Sequence, residues 1–79
     1  MNNLVKYNKV FIESFGVTEK DLNVNLEYNG IAAWDSVGHM GMIAELEETF
    51  RIELDTDDII DFSSYAKGIE ILGKYGMKI

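Results

Sequence analysis

The stretch that decides the fold reads Trp34-Asp35-Ser36-Val37-Gly38-His39-Met40, and it leads directly into a helical pattern over residues 41–50. Asp35 and Ser36 stand where a long polar segment gives way to that pattern. The first residues of a helix offer unpaired backbone N–H groups and the positive end of the helix dipole, which together favour an anion. A phosphate attached to Ser36 would be stabilised there, so the sequence predicts that Ser36 is an attachment point rather than a catalyst.

The helix predicted over residues 36–50 carries two apolar groups when successive residues are placed about 100° apart. The group expected to face the core contains Met42, Ile43, Leu46 and Phe50. The other group is a smaller apolar stripe edged by carboxylates, and it consists of Val37, Met40 and Ala44 beside Glu47 and Glu48. It is either part of a broad core-facing surface, which periodicity alone slightly favours, or a docking surface whose acids orient a basic partner.

The first 35 residues predict one helix followed by a long ordered loop. Apolar residues recur at positions 4, 7, 11 and 15, with an asparagine cap at position 2 or 3 and Gly16 as the stop. Residues 17–35 are less regular, with a capping box or turn over 18–21 and the turn signal Asn29-Gly30. We expect the apolar residues of this loop to tuck into the core.

Residues 51–79 predict a short third helix and a longer fourth one. The acidic run over residues 55–58 caps the third helix, and Ser63 or Ser64 caps the fourth, which has apolar positions at 65, 69 and 72. Gly68 and Gly73 are expected to weaken the fourth helix by roughly 1 kcal/mol each relative to alanine. The expected fold is a single all-α domain over residues 1–79, a four-helix bundle with three main helices and a long loop between the first two.

The composition restricts the classes of partner and of site. Fourteen acidic and 7 basic side chains give a net charge of −7, which repels nucleic acid and anionic membranes. This charge either attracts basic partners or simply keeps a small protein in solution, and composition alone does not favour one over the other. There is no cysteine, which excludes disulfides and thiolate metal sites and fits a reducing cytosol. We see neither a signal peptide nor a transmembrane pattern, so we expect a cytoplasmic protein that does not insert into membranes. The acidic charge argues against binding to nucleic acid, and we expect so small and acidic a chain to be a monomer.

A hydrolase triad of Asp35, Ser36 and His39 is the first catalytic arrangement to consider, and its spacing is wrong. Triad members converge from separated parts of a fold around a substrate cleft, whereas these three residues share one helical turn. The sequence therefore predicts no catalytic residue. His39 is the only histidine, and we expect a partly buried structural role for it, or a contact with the group attached to Ser36.

The aspartates at positions 55, 57, 58 and 61 suggest a calcium loop but do not fit one. Counting from Asp55, the fifth and sixth positions are Ile59 and Ile60, where an EF-hand loop needs an oxygen ligand and a glycine. Helix capping and a solvated acidic face explain the cluster better, and a metal-buffering protein is only a remote alternative. We therefore predict no metal site.

At Asp35-Ser36-Val37 the chain resembles the acyl carrier proteins, the phosphopantetheine-bearing domains that also include peptidyl and aminoacyl carriers. Their hallmark is Asp-Ser-Leu at the start of the second helix, and here valine replaces the leucine. The resemblance covers nearly the whole chain, through Met40, Met42-Ile43, Leu46-Glu47-Glu48, Phe50 and Ile52 and into the acidic third-helix segment.

The resemblance implies that a phosphopantetheinyl transferase attaches 4′-phosphopantetheine to Ser36 through a phosphodiester. The thiol of this arm then carries acyl or aminoacyl groups as thioesters, loaded by a ligase and used by downstream acyltransferases or synthases. The second helix becomes the main recognition element, which favours a docking role for Val37, Met40, Ala44, Glu47 and Glu48. A small apolar interior that loosens to enclose part of an acyl chain is a further hypothesis.

Two glycines depart from the fatty-acid carriers, which often have acids where this chain has Gly38 and Gly41. The stretches over residues 34–40 and 59–65 look more like specialised free-standing carriers of polysaccharide, aminoacyl or secondary-metabolite pathways. The same arm serves fatty acid, polyketide and nonribosomal peptide synthesis, so the cargo is not specified. The alternative from another class is an unmodified acidic helical adaptor that binds a basic protein partner.

Overall fold

Four α-helices and one short 3-10 turn follow one another in the computed structural model, which describes residues 2–79. They are α1 (Asn3–Phe15), the 3-10 turn (Glu19–Asp21), α2 (Ser36–Phe50), α3 (Thr56–Asp61) and α4 (Tyr65–Lys74). Within that part of the chain there is no strand, only an isolated bridge between Glu27 and Ser64. The expectation of an all-helical fold with three main helices and a short third one is confirmed. None of these helices is long and apolar enough to cross a bilayer.

Helix α1 begins and ends at the residues that the sequence indicates. The Asn2 side chain accepts a hydrogen bond from the Val5 N–H at 2.9 Å, and Gly16 ends the helix in the left-handed region at φ 67°, where glycine has no steric penalty. The buried residues of α1 are Tyr7, Val10, Phe11 and Phe15. Leu4, in the first turn, is 41% exposed, so the buried stripe begins one turn later than predicted.

Among its aliphatic residues the core contains a cluster of aromatic rings. Phe11 lies among them, with its ring centroid 5.5 Å from that of Trp34 in an edge-to-face contact and 5.4 Å from that of Tyr65. Trp34 is fully buried and also stacks on Phe15 at 5.1 Å. Such ring pairs contribute about 0.5–1.5 kcal/mol beyond the burial of their surface. Because Trp34 is anchored in the core, the two residues that follow it emerge at the surface in a fixed position.

The long loop between α1 and α2 is ordered because it is hydrogen-bonded to the junction of α3 and α4. The Tyr28 N–H donates to the Ser63 carbonyl, and the Tyr65 N–H donates to the Leu26 carbonyl, both at 2.9 Å. Leu26 is buried, and the capping box expected over residues 18–21 is present. The prediction that the apolar residues of this loop tuck into the core is confirmed for Leu26 and wrong for Tyr28, which is 37% exposed.

Gly68 has a packing role that helix propensity does not reveal. A Cβ atom at this position would lie 2.2 Å from Phe62 Cζ and 2.3 Å from Tyr7 Oη, so only glycine lets α4 approach the core this closely. Gly73, by contrast, has open space around it. The expected propensity cost concerns both glycines, and at Gly68 the close packing adds a requirement that the sequence did not indicate.

Helix α3 is held to the end of α4 through the carboxylate of Asp58. Lys74 Nζ and Tyr75 Oη each donate to this carboxylate at 2.5 Å, and the Asp55 N–H donates to Tyr75 Oη at 2.9 Å. The bonds from Lys74 and Tyr75 lower the pKa of Asp58 below its usual value. Asp58 is only 8% exposed, so the expected solvated acidic face is corrected at this residue.

Candidate functional site

Ser36 is the first residue of α2, and its side chain is exposed. Asp35 is the N-cap, and its Oδ1 accepts a hydrogen bond from the Gly38 N–H at 2.8 Å. The N–H groups of Ser36 and Val37 belong to the first turn, which has no partners within the helix. The serine hydroxyl therefore stands beside backbone donors and at the positive end of the helix dipole, as the sequence predicts.

Tyr28 is the partner of the Ser36 hydroxyl, a pairing that no pattern in the sequence indicates. The two side-chain oxygens lie 3.0 Å apart, and either one can be the donor. The loop turns back immediately after Tyr28, because Asn29 adopts a left-handed conformation at φ 64° and its N–H donates to the Trp34 carbonyl at 2.8 Å. The Asn29-Gly30 turn could be recognised in the sequence, but the position in which this turn places Tyr28 relative to α2 could not.

His39 has the structural role that its position indicates. Trp34 Nε1 donates to His39 Nδ1 at 2.9 Å, so Nδ1 is the unprotonated nitrogen. Nε2 therefore carries the proton and donates to the Ile59 carbonyl at 2.8 Å. These two bonds connect the end of the loop, α2 and α3 through one buried ring. Both ring nitrogens are occupied by neighbours other than Ser36 and Asp35.

A groove of about 380 Å³ lies next to Ser36. Its lining is mostly apolar and comes from the loop, the start of α2, and α3 with the residues after it: Tyr28, Ser36, His39, Met40, Ile59, Ile60, Phe62 and Ser63. Ser36 is itself one of the lining residues, so a group attached to its hydroxyl would begin at the wall of the groove. Sequence periodicity did not indicate the groove, because its walls come from three separate segments.

The smaller apolar stripe of α2 lies on the surface rather than in the core. Val37 and Met40 are 82% and 54% exposed, and Ala44 is exposed as well. Ile60 of α3, to which we had assigned no role, adds another large exposed apolar side chain at 71%. The interpretation of this stripe as part of a broad core-facing surface is therefore wrong.

The two glutamates of the predicted docking surface differ in their surroundings. Glu48 is exposed, whereas Glu47 is partly buried and its Oε2 accepts a hydrogen bond from the Leu54 N–H at 2.9 Å. Glu47 thus already holds the segment that leaves α2. Glu48 is the acid of this pair with an exposed side chain.

The two glycines of α2 differ in the space around them. A Cβ atom at Gly38 would lie 1.9 Å from the Ala33 carbonyl oxygen, so the close approach of the loop excludes a side chain there. A Cβ atom at Gly41 would meet no neighbouring heavy atom within 4 Å.

The structure brings most of the predicted site residues to one continuous surface. Asp35 and Ser36 lie at its start, Val37 and Met40 follow within the first turns of α2, and Ala44 and Glu48 lie farther along the helix.

Comparisons of this chain with protein-family models, with curated proteins and with solved structures give no match.

Proposed function

We propose that this chain is a non-catalytic carrier of the acyl-carrier type, with Ser36 bearing 4′-phosphopantetheine. Acyl or aminoacyl groups are carried as thioesters on the thiol of this arm and presented to partner enzymes. The observation that supports the proposal most strongly is the exposed hydroxyl of Ser36 at the first position of α2, opening onto an apolar groove. The four-helix order with a long first loop agrees with an acyl-carrier-like fold.

The residues around Ser36 fit a phosphodiester. Its anionic oxygens would meet the first-turn N–H groups and the positive end of the α2 dipole. The Asp35 carboxylate is hydrogen-bonded to the Gly38 N–H, so it has a structural role in the cap. When bound, the arm supplies a thiol that exchanges acyl groups between enzymes, and the chain itself supplies the attachment point and the surface beside it.

The exposed side chains around Ser36 fit brief docking with several enzymes. Val37, Met40 and Ile60 give apolar contact area close to the attachment point, and Glu48 and the net charge of −7 attract basic partner surfaces. A small interface with charge steering gives fast association and easy release. The expected partners are a phosphopantetheinyl transferase, a loading ligase and downstream acyltransferases or synthases.

Intact-protein mass spectrometry after incubation with coenzyme A and broad-specificity phosphopantetheinyl transferases tests this proposal. We expect the wild-type protein to gain one phosphopantetheine group and Ser36→Ala to gain none. The alanine variant should keep its circular dichroism spectrum, because the α2 cap is Asp35 rather than Ser36. A folded wild-type sample that gains nothing would contradict the proposal.

The second candidate is an unmodified acidic adaptor, and the exposed stripe of Val37 and Met40 beside Glu48 is the observation that favours it. An adaptor would bind its basic partner equally well with Ser36→Ala, and the binding would weaken with salt. A carrier would instead need Ser36 for every transfer of its cargo. The mass measurement above therefore separates the two functions.

A further inference from the structure

We propose that Tyr28 is a positioning residue for the arm, whose hydroxyl donates to the phosphodiester on Ser36 and directs the arm into the groove. This inference rests on the proposed attachment at Ser36, and it adds the direction in which the arm leaves the serine. It starts from the 3.0 Å contact between Tyr28 Oη and Ser36 Oγ.

The position of Tyr28 is fixed by the fold on three sides. Its N–H donates to the Ser63 carbonyl at 2.9 Å, and the preceding residue Glu27 forms a bridge with Ser64. Its ring and that of His39 make an edge-to-face contact, with centroids 5.6 Å apart and an interplanar angle of 81°. Because His39 is itself bonded to α3, the phenol group has a defined place relative to the start of α2.

Attachment of a phosphate changes what Tyr28 can do. A free serine hydroxyl can donate or accept, so the direction of the bond between the two hydroxyls is open. An esterified Ser36 Oγ has no proton, so Tyr28 Oη–H must then be the donor. The non-bridging phosphate oxygens are anionic, and hydrogen bonds to such acceptors are roughly twice as strong as bonds between neutral groups.

This bond fixes the side of Ser36 from which the arm leaves. Tyr28 lines the groove together with Met40, Ile59 and Ile60, whereas Val37, the next residue of α2, is 82% exposed. A phosphodiester held by Tyr28 therefore starts the arm along the groove rather than across the open surface near Val37.

The test uses the loaded protein, with Tyr28→Phe as the variant, since phenylalanine keeps the ring contact with His39 and removes only the hydroxyl. Tyr65→Phe is the matched control, because the Tyr65 hydroxyl bonds to Asn8 on α1. All three proteins are loaded with isotope-labelled phosphopantetheine, and loading is confirmed by mass. The 31P resonance and the nuclear Overhauser contacts from the arm to the Ile59 and Ile60 methyl groups are then recorded.

We expect the wild type and Tyr65→Phe to show these contacts and to share one 31P shift. In Tyr28→Phe the 31P resonance should move and the contacts to Ile59 and Ile60 should be lost, although loading is complete. Equal 31P shifts and equal contacts in all three loaded proteins would overturn the role of Tyr28 and leave the carrier function intact. Failure of the wild type to load would instead contradict the proposed function itself.

Discussion

Two polar clusters involve the short helix α3 in different ways: one shares a groove with its residues Ile59 and Ile60, and the other includes its residue Asp58. The Ser36 cluster contains Tyr28, Asp35 and Ser36, and the Asp58 cluster contains Asp58, Lys74 and Tyr75. In the Asp58 cluster the carboxylate is nearly buried and accepts bonds from both partners. In the Ser36 cluster the serine is exposed and makes one bond to a tyrosine hydroxyl.

The comparison separates polar groups that hold the fold together from polar groups that remain accessible. The Asp58 carboxylate is satisfied by its neighbours and therefore stabilises the position of α3. The Ser36 hydroxyl is exposed and stands beside an apolar groove, which is the geometry that the proposed attachment requires. The two clusters are linked, because the same six-residue helix carries Asp58 and the groove residues Ile59 and Ile60.

The largest effect on stability is expected at His39, which lines the groove but whose hydrogen bonds serve the fold. His39→Leu removes the acceptor of Trp34 Nε1 and the donor to the Ile59 carbonyl. A buried polar group left without a partner costs about 1–3 kcal/mol, so the free energy of unfolding should fall by about 2 kcal/mol or more. Urea denaturation measures this change.

Loading of the His39→Leu variant at low temperature, where it is still folded, provides the control. We expect the transferase to modify it, since Ser36 itself is unchanged. Unaltered stability together with lost loading would place His39 among the functional groups rather than the structural ones.

The next largest effect is expected at Asp58, where the free energy of unfolding should depend on pH in the acidic range. Bonds from Lys74 and Tyr75 hold the pKa of its carboxyl below the ordinary value of 3.8. A lowered folded-state pKa means that the stabilisation is full above the ordinary pKa and is lost progressively as the pH falls from there through the lowered pKa. Asp58→Asn should therefore be less stable than the wild type at neutral pH, with the difference shrinking in acid.

Urea denaturation between neutral and strongly acidic pH measures this dependence. Asp57→Asn is the matched control, because Asp57 is an exposed neighbour in the same helix. Parallel stability curves for the wild type and Asp58→Asn would contradict the assignment. Loading of Ser36 at neutral pH should be normal in both variants.

The smallest effect on the folded protein, and one confined to partner binding, is expected at Val37. Val37→Ser removes apolar area from the surface next to Ser36, and the free energy of unfolding should change by no more than about 0.5 kcal/mol because the side chain is exposed. The KM of the loading transferase should rise several-fold. Val24→Ser is the matched control, since Val24 is 77% exposed in the long loop. An equal KM for both variants would remove Val37 from the docking surface.

Local patterns in the sequence were sufficient to predict the helices and the position of Asp35 and Ser36 at the start of α2. The bounds of α2, the αL end of α1 at Gly16 and the exposure of Ser36 follow from periodicity, capping and turn residues that act over a few positions. The burial of His39 could also be predicted, because this residue lies towards the core side of α2 on a helical wheel.

Contacts between distant segments could not be predicted from such local patterns. The pairing of Tyr28 with Ser36 depends on the path of a long loop, and the pairing of Asp58 with Lys74 spans 16 positions. The close packing that requires glycine at position 68 depends on where Phe62 and Tyr7 meet α4. Such contacts follow from tertiary packing, which leaves no periodic signal in one sequence.

Peptide mapping of the loaded protein by tandem mass spectrometry tests directly whether Ser36 is the attachment point. The chain has four serines, and Ser63 is the sharpest control because it is exposed and lines the same groove as Ser36. We expect phosphopantetheine on Ser36 alone, at full stoichiometry in the wild type and in Ser63→Ala, and none in Ser36→Ala. Modification of another residue, or loading that persists in Ser36→Ala, would contradict the proposed attachment at Ser36.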